Sequence, residues 1–227
     1  MSHTFGRVVA VTALIVGPLS LIAGDIAQWM LQPTGAAPTA TDAAAQFPAA
    51  WLAIGLLGVF GPIVWLAGIP AVAALAPARG RIVTRVGALL TGAGLAAGIG
   101  HVALFFGLYG ALAGAGLNAD ATTAMEAAAD GELLGNILLY AFLIGFSLGP
   151  IVLTVGLRIA GVIPVWVPIA AVVTAGANLF GGPIAGVVQL VALALAWAPL
   201  AVAVARSGAA DVATRRDTPR GRIPQEI

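Results

Sequence analysis

Six apolar stretches separated by short polar segments organise the chain, at roughly 8–31, 50–76, 86–115, 133–157, 163–180 and 184–205. At a rise of about 1.5 Å per residue, each is long enough to cross about 30 Å of hydrocarbon. Backbone amides inside a bilayer find partners only within a helix or a closed barrel, so uninterrupted apolar runs predict helices. The expected fold is all-α, a polytopic membrane bundle of six transmembrane helices over residues 1–206. Residues 207–227, poor in apolar side chains and containing Pro219 and Pro224, are expected to be a disordered, arginine-rich cytoplasmic tail.

The charged positions orient this pattern. The ten basic residues are all arginines. They fall at Arg7, at Arg79, Arg81 and Arg85, at Arg158, and at Arg206, Arg215, Arg216, Arg220 and Arg222, always on one side of a six-span arrangement. The opposite segments, 32–49, 116–132 and 181–183, hold no basic residue and instead carry Asp42, Asp120, Glu126, Asp130 and Glu132. Short arginine-rich loops stay cytoplasmic. The expectation is a multi-pass protein of the cytoplasmic (inner) membrane with both termini inside. Its expected partners are the lipid bilayer, with anionic lipid at the arginine-rich inner face, and an unidentified protein or a second copy of the chain. The run from Val8 to Gly24 exceeds the about 7–15 residues of a signal-peptide core, so the first helix is expected to remain uncleaved.

Composition narrows the function classes. Sixty per cent of the residues are apolar and 8% charged, with a mean hydropathy of +1.04, whereas about a quarter of a soluble chain is charged. That leaves little room for a soluble catalytic domain. The absence of cysteine excludes disulfides, thiolate metal sites and cysteine nucleophiles. There is no HExxH, GxSxG or phosphate-loop motif, and the tail arginines lack the interleaved aromatics of a nucleic-acid binder. No enzyme activity, nucleic-acid partner or cofactor is expected.

Local signals add detail. Gly94-Leu-Ala-Ala-Gly98 and Gly110-Ala-Leu-Ala-Gly114 have the small-xxx-small spacing that lets helix backbones approach, which makes the third span the expected packed centre. A Gly-Pro pair recurs at Gly17-Pro18, Gly61-Pro62 and Gly149-Pro150. Pro70, Pro150 and Pro199 precede the inner arginines at similar distances and are candidate hinges. Trp29, Trp51 and Trp166 stand near span ends, where interfacial aromatics belong. Residues 32–49 read as an irregular loop. Thr123-Ala-Met-Glu126 has capping-box spacing and predicts a short exposed helix.

Counting along helices from the inner arginines places Asp25 and Tyr140 about 27 Å away, Gln189 about 25 Å and His101 about 24 Å. Asn178 is expected at the same level. These five residues form a candidate polar layer in the outer third of the membrane. A carboxylate there costs about 2.5–3.5 kcal/mol on insertion scales unless it faces protein or water. Asp25 with His101 would form either hydrogen-bonded glue between the first and third spans or a proton-exchanging site. One histidine and one carboxylate do not complete a metal shell. Haem between two histidines is excluded within one chain, because the other histidine is His3, outside the spans.

The Arg-led first helix with Gly17-Pro18, the basic loop Arg79–Arg85 and the basic tail resemble the Ala/Gly-rich six-span membrane proteins of unknown function found in many actinobacteria. That resemblance implies a membrane bundle and transfers no functional residue. The first expectation is a non-enzymatic bundle serving as scaffold, accessory subunit or sensor. The alternative is a small, proton-coupled transporter using Asp25 and His101. A cavity reaching Asp25 distinguishes the two.

Overall fold

Proline and glycine mark where the helices of this chain start, break and touch. The computed structural model describes residues 3–31, 39–180 and 182–216, and among them the chain is helical with no strand. Helix α1 (His3–Leu31) takes the first apolar stretch, and α3 (Pro48–Leu66) with α4 (Ile69–Ala73) the second. Helices α5 (Arg81–Gly114), α7 (Leu133–Ile159), α8 (Trp166–Phe180) and α9 (Gly182–Arg216) take the other four. Two short helices, α2 (Ala40–Gln46) and α6 (Ala119–Asp130), occupy the arginine-free segments.

Five segments are long and apolar enough to cross a membrane: Thr4–Leu31, Pro48–Ala73, Arg81–Gly114, Leu133–Ile159 and Ile184–Ser207. The fifth apolar stretch departs from the expectation. Its helix has 15 residues, about 22 Å of rise. The preceding residues are spent on a turn, in which Gly161 at φ 74° closes α7 while the Val162 amide donates back to the Leu157 carbonyl. The last helix also differs, continuing to Arg216 where a disordered tail was expected from Ser207. The rest of that tail lies outside the described residues.

The second stretch breaks rather than kinks. Helix α3 ends at Leu66, four residues before Pro70, which opens α4. A proline cannot accept a helical neighbour at its fourth preceding carbonyl, and here that carbonyl belongs to Leu66. The other candidate hinges, Pro150 and Pro199, sit inside continuous helices. The arginine-free segments also hold more structure than expected. Helix α2 replaces part of the loop 32–49 and starts with a capping box in which Thr39 and Asp42 each accept the other's amide. Helix α6 forms where a short helix was expected, but Asn118 caps it and Thr123 lies inside.

In chain order, α1 packs on α3, α3 on α5, α5 on α7, α7 on α8, α8 on α9, and α9 returns to α1. The ring is filled by large side chains, with Trp65 and Trp197 crossing edge-on at 4.7 Å between ring centroids, and Phe146, Leu95 and Leu153 around them. Contact is most extensive between α5 and α7. There Gly87, Gly94 and Gly98 face Leu153, Gly145 and Phe142 so closely that side chains at those glycines would collide. Gly114 has open space beside it, so the second Gly-xxx-Gly pair of α5 is not a helix crossing. In these three of the four Gly-Pro pairs, the glycine is a crossing point each time: Gly17 lies against Trp65, Gly61 against Ser20 and Gly149 against Thr91. Trp51 is buried rather than interfacial, and its indole Nε1–H donates to the Phe106 carbonyl at 2.9 Å.

The two ends of the bundle are distinct. Gly80, at φ 83° before the first turn of α5, lies against Gly156 and Ala160, which brings the Arg79–Arg81 turn beside Arg158. At the other end, α2, α6 and the last turn of α5 line one pocket.

Candidate functional site: an interior cavity at Asp25

Helix α1 turns Ser20, Gly24, Asp25 and Gln28 toward the bundle, a spacing that keeps them on one helical face. Opposite them, Gly58 on α3 and Gly98 on α5 remove side-chain bulk, and Phe142 of α7 closes the floor. The result is a partly open cavity of about 120 Å³ between four helices, room for roughly four waters at about 30 Å³ each. The Ser20 hydroxyl is committed, donating to the Gly17 carbonyl at 2.7 Å. The half-buried Asp25 carboxylate has neither a hydrogen bond nor an ion pair among the described residues.

His101 does not share this cavity. Its Nδ1 lies 3.2 Å from the Gly135 carbonyl oxygen, and it lines a separate cavity of about 500 Å³ with Tyr109, Asp130, Glu132 and Asn136. There the Tyr109 hydroxyl donates to Asp130 at 3.1 Å, and the Asn136 amide donates to the carbonyls of Asp130 and Glu132. His101 therefore ties α5 to the first turn of α7. The expected Asp25–His101 pair is not formed.

The other three residues of the expected layer do not join Asp25 either. Tyr140 is 61% exposed and faces out of the bundle. The side-chain nitrogen of Asn178 is buried without a partner among the described residues, and Gln189 is half-buried on α9. None of the three lines the Asp25 cavity. Rise per residue fixes depth, but it leaves the direction around the helix axis open. Ser20 and Gln28, which do join Asp25, were missed although their helical spacing from it was visible in the sequence.

Glu132 caps α7, its carboxylate accepting the amides of Leu134 and Gly135. The Gly135 and Leu134 amides hold its pKa below the ordinary carboxylate value. A depressed folded pKa means that the cap contributes above the unfolded value and is lost as pH falls through the folded one. Glu132→Ala is expected to accelerate amide exchange at Leu134 and Gly135 at neutral pH, leaving the middle of α7 unchanged, as hydrogen-exchange mass spectrometry would read. Unchanged exchange at those amides would remove the cap from this account. In the wild type, protection of those two amides relative to their intrinsic exchange rate should fall as pH drops through the lowered carboxylate pKa.

No protein-family model, curated protein or solved structure matches the chain.

Proposed function

We propose that the chain is a small transporter of the cytoplasmic membrane, with six membrane-crossing helices and both termini inside, in which Asp25 takes up a proton or a small cation. One observation carries the reading: a membrane-helix carboxylate lines a cavity between helices with no partner among the described residues. Ionisable groups at such depth are costly and mark transport paths or proton relays. A carboxylate kept as interhelical glue needs a donor on the neighbouring helix, and Asp25 has none among the described residues. His101 leaves the mechanism of the transporter, being engaged with α7 instead. The sidedness rests on the arginine distribution. Helix α8, being short, crosses as the sixth span with local thinning of the bilayer.

The competing reading, a non-enzymatic scaffold, accessory or sensor bundle, draws on the small volume of the cavity and on its mainly apolar wall. A thiol at Gly24 separates the two, since the chain contains no cysteine and a side chain there meets nothing within 4 Å. In a transporter, Gly24→Cys should react with a membrane-impermeant maleimide from the outer face in intact cells and from the inner face in inverted vesicles. Labelling from neither face would leave Asp25 without a pathway and the scaffold reading standing.

A further inference from the structure

A second pocket, lined by residues other than those around Asp25, lies at the arginine-free end, where α2, the end of α5 and α6 enclose about 380 Å³. Most of its polar groups are already engaged. Thr39 and Asp42 cap one another at 3.1 and 3.2 Å. The Thr122 and Thr123 hydroxyls donate to the Asn118 and Ala119 carbonyls. Two groups are left over. Thr41 is 6% exposed and its Oγ1 has no partner among the described residues. The Glu126 Oε1 is likewise buried with no partner, although both residues line the same pocket. Buried polar atoms in folded proteins are nearly always hydrogen-bonded, so two orphans on residues that line one pocket point to a group that would satisfy them.

The chemistry of that group follows from the surroundings. Asp42 and Glu126 bring two carboxylates, and segments 39–48 and 116–132 hold no Lys, Arg or His to neutralise them. The missing partner therefore carries positive charge and donates hydrogen bonds. Among the described residues no three His, Asp or Glu side chains gather as a metal ion requires. Leu112, Ala113 and Leu117 give the pocket an apolar wall suited to a hydrocarbon tail. We infer that this pocket binds a small organic cation, with a primary ammonium group between Thr41 and Glu126 and its alkyl portion against the end of α5. The volume is within the about 300–1,000 Å³ of small-molecule sites. The inference is independent of the transport reading, since it concerns a different set of residues.

The test uses the full-length protein in nanodiscs and isothermal titration with n-butylammonium, tetramethylammonium and Ca²⁺. Saturable binding of n-butylammonium is expected, weakened at least about tenfold by Glu126→Gln and by Thr41→Val, a loss in the range of a hydrogen bond to a charged group. Tetramethylammonium, which has no N–H, should bind at least about tenfold more weakly, by the same hydrogen-bond argument. Thermal melts of the two variants establish that they remain folded, and Thr41→Val carries the test if Glu126→Gln does not. Absence of saturable amine binding, amine binding indifferent to both substitutions, or Ca²⁺ binding alone that Glu126→Gln abolishes would each overturn the inference.

Discussion

Leucine in place of Gly94 or Gly145 is expected to destroy the folded bundle, at a cost of about 3 kcal/mol or more, the upper part of the range for overpacked cores. At this crossing α5 and α7 touch backbone to backbone. A Cβ on Gly145 would stand 2.6 Å from the Gly94 Cα, and one on Gly94 would meet the backbone of Gly145 and Phe146. Backbone cannot rotate aside as a side chain can, so the helices would have to separate along their length. Separation would also undo the seats of Thr91 against Gly149 and Thr84 against Gly156, both threonines being fully buried. In lipid there is no hydrophobic force to hold the pair at a wider spacing, because close contact is itself the source of association. Alanine at Gly107 or Gly114, where an added Cβ meets nothing within 4 Å, should be nearly neutral. Fluorescence-detected size exclusion after a heating series would rank the four variants. A monodisperse, wild-type-like Gly94→Leu protein would show that α5 and α7 do not pack as described.

These glycines also show how far the sequence could be read. Gly94-xxx-Gly98 marked the close α5–α7 crossing, because small residues at that spacing form one flat face, but α5 is a member of the ring and not its packed centre. Gly110-xxx-Gly114 has the same spacing with no helix across from Gly114, since spacing describes a face and says nothing of what lies opposite. The break at Leu66 was legible in physical terms from the clash at the carbonyl four residues before Pro70, and so was the Thr39–Asp42 box that starts α2. Asp25 was legible because a carboxylate in an apolar helix needs a reason to be there. Its neighbours across the cavity, Gly58, Gly98 and Phe142, come from three other helices. Their convergence depends on rotations of each helix that no local pattern specifies. The same freedom let Tyr140 turn outward.

Asp25→Asn is expected to leave the protein as stable as the wild type or to stabilise it, by up to about 2.5–3.5 kcal/mol if the insertion cost of the charge were fully relieved. Asp25 is only half-buried and lies near the C-terminal end of α1, so a gain of about 1–2 kcal/mol is the central expectation within that range. His101→Gln should act in the opposite direction and weakly, since it removes a single contact to the Gly135 carbonyl. Intramembrane hydrogen bonds average about 0.6 kcal/mol. Because the two residues line separate cavities and share no partner, the double variant should equal the sum of the singles within about 0.3–0.5 kcal/mol. Thermal melts of the four proteins in one detergent supply the cycle. A loss of more than about 1 kcal/mol in Asp25→Asn, more than an average intramembrane bond supplies, would mean that the carboxylate has a protein donor after all. A strongly non-additive double variant would name His101 as that donor. Additivity with a stabilising Asp25→Asn would mean that the protein keeps a carboxylate its fold does not need, at the one place where an interior cavity could use its charge.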